Sequence, residues 1–269
     1  MKLITFDVFR TLGIPGVRYI KPDHMFDHLE EIRQADWLLF PEYWQINSLL
    51  YGLGARIFPS PASYYLGHDK VEQTRAFLAL CPEHLPATEI LGTSPASLDK
   101  AEARFGYPFI AKRIKSSMGQ GVSLIESRPA LLAHVAEESV LYAQQRLPID
   151  RDLRIVIVGG ELIAAYWRVT PLGGYRANVS QGGHIQEGEI PASAVALAQR
   201  LARELGIDHA GFDIAMHDGQ PYILEFNRLF GNQGIRDSSK RIGQAIQRVL
   251  RASGADRDPD GEPPLRLSA

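Results

Sequence analysis

Short apolar runs alternate with amphipathic stretches in the first part of the chain. The runs KLITFDV, WLLF and ARIF predict strands, whereas the stretch from Asp23 to Gln34 and a second one from about Glu42 predict helices. Strands that alternate with helices are typical of parallel sheets. Residues 1–68 are therefore predicted to form a small N-terminal α/β domain built on a βαβ layer.

A second unit is predicted to begin with a helix near Asp69-Lys70. From Ser97 to about Glu138 the pattern predicts a helix, a strand (FIAKRI), a loop rich in serine and glycine (KSSMGQG), a strand (VSLIE) and another helix. Residues 69–140 are assigned to one α+β subdomain, and the loop 115–121 is its most distinctive feature.

The next part of the chain is predicted to be mostly antiparallel. After the strand VLYAQQRL, the strands DLRIVIV and ELIAAYWRV are joined by Gly159-Gly160, which is a strong two-residue hairpin signal. A helix is predicted from about Ala192 to Leu205. It precedes a second hairpin in the segment DIAMHDGQPYILEFN, residues 213–227.

The pattern ends with an amphipathic helix near Ser238 to Arg251 and a charged, proline-rich tail. Residues 141–251 are assigned to a second α+β subdomain. The tail, residues 252–269, lacks the apolar content that a packed structure requires and is expected to be disordered.

The second hairpin brings together three side chains that carry oxygen ligands. Residues HDGQ at 217–220 give the turn signal, so the strand with Asp213 should fold back beside the strand with Glu225 and Asn227. Glu225 and Asn227 share a face because they are two residues apart, and Asp213 should lie roughly opposite Glu225. Mg²⁺ prefers such ligands. The pattern predicts a magnesium-nucleotide site, and it leaves open a polar edge hairpin whose acids face solvent.

The loop 115–121 and two lysines add a candidate phosphate site. Glycines and small hydroxyl residues let backbone N–H groups approach a phosphate, although the loop is neither a Walker A nor a Rossmann sequence. Lys112 interrupts an apolar strand, where a lysine needs an anionic partner to offset desolvation; the alternative is a solvated face. Lys70 stands at a helix start, where the helix dipole does not favour positive charge.

Composition restricts the class of protein. The chain has 269 residues, of which 45% are hydrophobic and 22% charged, and its net charge of −2 argues against a partner that is nucleic acid or a membrane surface. The amino terminus does not resemble a signal peptide, and no run approaches the roughly 20 apolar residues of a membrane helix. We therefore expect a cytoplasmic protein. A single cysteine, Cys81, excludes an internal disulfide framework.

Several segments, taken in order, resemble successive motifs of the ATP-grasp fold, closest to the RimK-like ribosomal-protein glutamate ligases. They are YPFIAKRIKSSMGQGVSLIE, YAQQRL, DRDLRIVIVGGELIAAYWRV, YRANVSQGGH and HAGFDIAMHDGQPYILEFNRLFGNQGI. The match in order and spacing runs from about Lys70 to Gly234. The resemblance implies an α/β (α+β) ATP-grasp fold, which consists of a small N-terminal βαβ layer and two α+β subdomains that clasp ATP.

The resemblance also implies roles for individual residues. Lys70 and Lys112 would bind phosphates, and Ser116, Ser117, Gly119 and Gly121 would belong to a loop that covers them. Gln144, Gln145, Arg146 and Leu147 would bind the adenine side of the nucleotide, and Asp152 the ribose. Arg154, Arg168, Arg176 and Asn178 would face the phosphates or the reacting carboxylate, and Asp213, Glu225 and Asn227 would bind Mg²⁺, with Mn²⁺ as an alternative. Taken singly, each has a structural alternative, such as a surface charge or a turn.

The implied activity is an ATP-dependent ligase that activates a carboxylate as an acyl phosphate and joins it to an amine. The amine would come from an amino acid, a peptide or a small metabolite, and a homodimer is the base-rate expectation. Two alternatives remain open: a phosphotransferase acting on a hydroxyl, and a nucleotide-binding module with weakened catalysis. The second is motivated by Gln145, which stands where the family typically has glutamate, and by the missing proline-glycine pair after Asn227.

Two departures from the family pattern concern the substrate. The family commonly has EVNxxPG where this chain has EFNRLFG, so that Arg228 follows Asn227 and Phe230 replaces proline. We hypothesise that Arg228 pairs with a substrate carboxylate, because guanidinium groups suit carboxylates. The N-terminal layer is also compact, which suggests an acceptor bound partly by a partner subunit, or an acceptor that is itself a carrier or a peptide.

Overall fold

The computed structural model describes residues 1–114, 121–171 and 182–255. The chain divides into two compact units, one formed by Met1–Phe58 with the residues from Asp237 onward, the other by Pro59–Arg236. The sequence pattern grouped the last helix with the residues before it, whereas the structure groups it with the N-terminal layer. The limits predicted inside the second unit stay predictions.

Strands and helices alternate along the described residues. The strands are β1 (Leu3–Thr5), β2 (Val17–Tyr19), β3 (Trp37–Leu39), β4 (Ile57–Phe58), β5 (Thr88–Leu91), β6 (Phe109–Lys112), β7 (Val122–Ile125), β8 (Leu141–Gln144), β9 (Arg151–Val158), β10 (Glu161–Val169), β11 (His184–Gln186), β12 (His209–His217) and β13 (Gln220–Asn227). The α-helices are α1 (Leu29–Arg33), α2 (Pro61–Leu66), α3 (Lys70–Leu80), α4 (Pro95–Phe105), α5 (Arg128–Val135), α6 (Ala192–Glu204) and α7 (Ser238–Ala255). No helix within these described ranges combines the length and the hydrophobicity needed to span a bilayer.

The first unit contains a parallel sheet. Its strand order is β2-β1-β3-β4, and every pairing is parallel, as the alternating pattern predicted. Strand β2 was not predicted, because its partly exposed VRY sequence carries no apolar run. The helix predicted from Asp23 begins as the 3-10 helix Pro22–His28 and continues as α1. The helix predicted from Glu42 consists of a 3-10 turn, Tyr43–Gln45, and a π-helical turn, Ser48–Gly52.

Helix α7 packs closely against the N-terminal segment at two glycines. A Cβ atom on Gly13 would lie 1.8 Å from the carbonyl oxygen of Ser239, and one on Gly243 would lie 2.6 Å from the carbonyl oxygen of Gly13. α7 continues through Ala255, so the expected disorder from residue 252 is wrong for its first four residues. The reason is that no proline, which would stop the helix, occurs before Pro259. Residues 256–269 lie outside the described part.

The second unit contains a five-stranded antiparallel sheet with the order β11-β10-β9-β12-β13. Both predicted hairpins are confirmed. Gly159 and Gly160 have φ values of 60° and 80°, and Asp218 and Gly219 have 50° and 76°, which are the positive angles that such two-residue turns need. Strand β11 was not predicted.

The two faces of this sheet differ sharply in polarity. One face is apolar and packs against α6 in a core to which Leu153, Ile155, Phe212, Ile214, Ile223 and Phe226 contribute. Because side chains alternate along a strand, the residues between them point to the other face. A register shift next to Asp213 keeps Glu225 on that other face while Ile223 stays in the core. The polar face carries the candidate site.

A four-stranded antiparallel sheet with the order β5-β8-β6-β7 completes the second unit. Its apolar residues, among them Phe109 and Ala111, pack with Leu98 of α4 and Leu131 of α5. Lys112 ends β6 beside Tyr142 of β8. The segment that joins β6 to β7 contains the predicted phosphate loop, of which residues 115–120 lie outside the described part.

Candidate active site

Four charged side chains are buried on the polar face of the five-stranded sheet. Asp152 and Arg154 come from β9, Arg168 from β10 and Asp213 from β12, and each is at most 7% exposed. The register sets Arg168 opposite Asp152, and Arg154 opposite Asp213. Directly opposite residues of antiparallel strands point the same way, so the four side chains meet. We call them the Arg–Asp quartet.

The quartet is joined by bidentate ion pairs. Arg168 donates from Nε and Nη2 to the two carboxylate oxygens of Asp152, at 2.7 Å each. Arg154 donates from Nε and Nη2 to Asp213 at 2.6 and 3.3 Å, and Nη2 of Arg168 lies 3.0 Å from Oδ2 of Asp213. Burial opposes the charge on Arg168, but Asp213 and Asp152 together raise the pKa of its guanidinium. Two positive and two negative charges thus neutralise one another.

Gly211 makes room for the quartet. A Cβ atom at this position would lie 2.9 Å from Nη1 of Arg154 and 2.9 Å from Cβ of Phe230. Such distances are too short for carbon, so a side chain at Gly211 would displace one of the two neighbours. Tyr166, which stands opposite Arg154 on β10, closes the other side and is 8% exposed.

A cleft of about 370 Å³ lies at the end of β13. Its lining residues are Gly67, His68, Asp69, Lys70, Gln73, Ile114, Glu225, Phe226, Asn227, Arg228 and Leu229. Nδ2 of Asn227 donates to Oε1 of Glu225 at 3.2 Å, and Nζ of Lys70 lies 3.7 Å from Oε2 of Glu225. The cleft therefore combines an acid–amide pair with a cation.

The three predicted metal ligands have different partners in the structure, and their role as one metal site stays a prediction. Asp213 is the register partner of Glu225, as predicted, but its oxygens are bonded to arginines, whereas Glu225 and Asn227 line the cleft. Among the described residues, no three His, Cys, Asp or Glu side chains are arranged to hold a metal ion. A carboxylate and an amide still fit Mg²⁺, since this ion usually takes its remaining ligands from phosphates and water.

The outer edge of β13 is covered by Gln73 and Lys112. The side-chain amide of Gln73 accepts from the N–H of Phe226 at 2.9 Å and donates to its carbonyl oxygen at 3.1 Å, as a neighbouring strand would. Nζ of Lys112 donates to the carbonyl oxygen of Leu224 at 3.3 Å. These bonds hold α3 and β6 beside the cleft.

Lys112 is buried, with 6% of its surface exposed, so the solvated-face alternative is wrong. Burial lowers the pKa of Lys112, and the carboxylates of Glu225 and Asp213 oppose that effect only in part. Its ammonium group also lies 5.5 Å from the centre of the Tyr142 ring. A bound anion at this point would favour the protonated lysine.

The segment predicted to bind adenine follows β8. Gln144 is buried, and its Nε2 donates to Oγ1 of Thr88 at 2.9 Å and to the Tyr142 hydroxyl at 3.4 Å. The N–H of Gln145 donates to the carbonyl oxygen of Ala87 at 2.8 Å, while the side chains of Gln145 and Arg146 are exposed and Leu147 is buried. The amide of Gln144 thus binds within the sheet, and the adenine-binding role of Gln145, Arg146 and Leu147 stays a prediction.

Comparison with known proteins identifies the family. A family model described as the RimK-like ATP-grasp domain matches residues 69–251. The chain belongs to the RimK-like ATP-grasp family. This matched range contains the Arg–Asp quartet, the predicted adenine segment and all of the cleft lining except Gly67 and His68.

Two individual relatives of this RimK-like chain are named as L-glutamate ligases. A "Probable alpha-L-glutamate ligase" from Parasynechococcus marenigrum is 30% identical over 194 residues, which cover 67% of this chain and 40% of that relative. A "Ribosomal protein bS6--L-glutamate ligase" from Escherichia coli O1:K1 / APEC is 28% identical over 165 residues, covering 58% of this chain and 54% of that relative. The chain thus spans about half of the length of these two relatives.

A solved structure agrees on the fold. D-alanine--D-alanine ligase from Bacillus anthracis, complexed with ATP, superposes with a TM-score of 0.68 at 16% identity, covering 92% of each chain. The predicted ATP-grasp fold is confirmed.

Part of the predicted RimK-like site lies outside the described residues, namely Ser116, Ser117, Gly119, Arg176 and Asn178. Gly121, at the end of the phosphate loop, is described, and its carbonyl oxygen accepts from the N–H of Arg113 at 2.7 Å.

Three residues that contact Arg228 or line the cleft were not predicted from the sequence. Tyr64 lies beside the guanidinium of Arg228, and His209 contacts the carbonyl oxygen of Arg228. Gln73 had one available signal, because it is three residues after Lys70 and so shares its helix face. Tyr64 and His209 had none, since each meets Arg228 only through the tertiary fold.

Proposed function

We propose that this protein is an ATP-dependent ligase that activates a carboxylate as an acyl phosphate and joins it to an amine. The observation that carries the proposal is the cleft at the end of β13, which Lys70 and the Glu225–Asn227 pair line. Buried Lys112 bonds to the same strand at the carbonyl oxygen of Leu224. Family membership and the names of the relatives support the same reaction.

Glu225 and Asn227 would hold Mg²⁺ together with nucleotide phosphates and water. The ion would neutralise phosphate charge during transfer. Asp213 is the third predicted ligand, and its present partners are the two arginines of the quartet.

The protein's own contribution is charge and the orientation of the two substrates. An oxygen of the carboxylate attacks the γ-phosphorus of ATP, and ADP leaves. The amine nitrogen then attacks the acyl carbon, phosphate leaves, and the nitrogen loses a proton. Lys70 and Lys112 would stabilise the negative charge that the transferred phosphoryl group carries. No protein nucleophile is needed in this sequence of steps.

L-Glutamate is the first candidate for the amine, and a protein or peptide for the carboxylate, because the relatives are named as L-glutamate ligases and one is named for ribosomal protein bS6. A cytoplasmic location and a homodimer, both expected from the sequence, remain predictions.

The proposal is tested by ADP release with Mg²⁺-ATP and a panel of carboxylates and amines that includes L-glutamate and glutamate-ending peptides. A ligase releases ADP and phosphate only when both substrates are present. A kinase would leave phosphate on a hydroxyl acceptor, and a binding module would bind nucleotide without turnover across the panel. Glu225→Gln is the control, and full turnover by that variant would contradict the assignment of the cleft.

A further inference from the structure

Arg228 occupies a defined position in the cleft. It follows Asn227 directly and lines the same space as Lys70 and Glu225. Its guanidinium carbon lies 4.5 Å from the centre of the Tyr64 ring, and Tyr64 is only 1% exposed, so the ring is a fixed support. Stacking uses the face of a guanidinium, whereas binding to a carboxylate uses the N–H groups in its plane. The two contacts are therefore compatible.

The backbone at Arg228 is held by a second pair of residues. Nδ1 of His209 lies 2.6 Å from the carbonyl oxygen of Arg228, and because a carbonyl oxygen only accepts, this nitrogen must carry the proton. The His209 ring stacks on Phe230, with centres 4.7 Å apart and planes 22° from parallel. His209 is 1% exposed and Phe230 is 3% exposed, so the turn after β13 is anchored in the interior.

The two acidic residues that line the cleft, Asp69 and Glu225, are in contact with neighbouring donors. Asp69 caps α3 by accepting from the N–H groups of Val71 and Glu72 at 2.7 and 3.4 Å. Glu225 contacts Lys70 and Asn227. The negative charges of Asp69 and Glu225 are therefore each in contact with a donor, and a substrate carboxylate that enters the cleft would meet the guanidinium of Arg228 on its Tyr64 support.

We infer that Arg228 selects the nucleophile of the reaction, by binding the α-carboxylate of an amino acid whose amine attacks the acyl phosphate. The inference rests on the proposed ligase function and specifies its amine substrate as an amino acid with a free α-carboxylate. Arg228 is the residue that touches this substrate. His209 is a positioning residue that acts through Arg228.

The test measures binding by calorimetry with the full chain, Mg²⁺ and a non-hydrolysable ATP analogue. The probes are L-glutamate and its α-amide, which differ only in the group that Arg228 would bind. Wild type should prefer L-glutamate by at least about tenfold, and Arg228→Met should weaken L-glutamate binding by about 10- to 100-fold while changing α-amide and nucleotide binding by less than about threefold. Arg203→Met, at an exposed position on α6, is the matched control.

Arg228→Lys provides a second variant that keeps the charge and the aliphatic stem. It should show an intermediate loss, because an ammonium group lacks the planar fork. Equal binding of L-glutamate by wild type and Arg228→Met would overturn the inference, and so would a wild type that binds neither probe or both equally. If the probes behave as expected but no ADP is released with any substrate pair, the binding of an amino-acid carboxylate by Arg228 stands, whereas the ligase proposal and with it the nucleophile role fail.

The positioning role of His209 is tested with His209→Phe, which keeps a ring against Phe230 but loses the donor to Arg228. The affinity for L-glutamate should fall with little change in nucleotide affinity. In the Arg228→Met background the same change should have no further effect, because the group that it positions is gone. An equal loss of L-glutamate and nucleotide affinity, or a full additional loss in the double variant, would contradict this role.

Discussion

Replacing Asp213 by asparagine would remove one negative charge from the Arg–Asp quartet while keeping the shape of the side chain. Asp213 is 2% exposed and contacts both Arg154 and Arg168, so its loss leaves two buried guanidinium groups with Asp152 alone. The remaining net positive charge has little access to water, because the other three side chains are at most 7% exposed. Removing one partner of such a buried pair typically lowers the free energy of unfolding by about 3–5 kcal/mol.

Glu225→Gln is the matched control for this change. Both residues are predicted metal ligands and are register partners, but the side chain of Glu225 is 18% exposed and its Lys70 contact is 3.7 Å long. A partly exposed pair of this kind contributes no more than about 1 kcal/mol. We therefore expect both variants to lose ATP turnover, while only Asp213→Asn loses substantial stability.

The free energy of unfolding is measured by urea denaturation, and the unfolding temperature by a thermal melt. For a unit of this size, a loss of 3–5 kcal/mol corresponds to a fall of roughly 6–20 °C in unfolding temperature. A cycle with Arg154→Gln isolates the pair, because the double variant removes one charge of each sign and should recover part of the loss. If Asp213→Asn were as stable as Glu225→Gln, the quartet would not be the structural unit described above.

Three further predictions concern the surroundings of the cleft. Gln73→Leu should lower the free energy of unfolding by about 1–3 kcal/mol, because it leaves the N–H and carbonyl of Phe226 without their buried partner; an unchanged urea midpoint would contradict this. Lys112→Met should weaken binding of an ATP analogue. The pKa of Lys112 is lowered from its ordinary 10.5, and phosphate binding requires the protonated amine. In wild type, binding of the ATP analogue should therefore weaken as the pH rises through this lowered pKa. Binding titrations at several pH values should show this dependence in wild type but not in the variant. Gly211→Ala should cost about 1–3 kcal/mol by displacing Arg154 or Phe230, whereas Gly231→Ala, where an added Cβ meets nothing within 4 Å, should be close to neutral in the same melt.

Local signals explain which parts of the fold the sequence could predict. The HDGQ turn specifies the hairpin β12–β13, and the hairpin then sets Asp213 opposite Glu225, so a short segment was enough. A short local signal of this kind could not predict the Arg–Asp quartet. That cluster requires β9 to pair with β12, and Arg154 and Asp213 are 59 residues apart in the chain. Gln73 and Phe226, separated by 153 residues, present the same difficulty.

The ion pairs of the quartet also change which positively charged side chains are expected to bind phosphate. From the sequence, Arg154 and Arg168 were expected to face the phosphates or the reacting carboxylate. In the structure their charges are matched by Asp152 and Asp213 at distances of 2.6 to 3.3 Å, so the group presents almost no net charge to an approaching anion. Lys112 differs, because its charge is only partly compensated and burial makes that charge costly. Attraction for phosphate should therefore come first from Lys70 and Lys112, and the arginines of the quartet should act chiefly by holding β9, β10 and β12 in register.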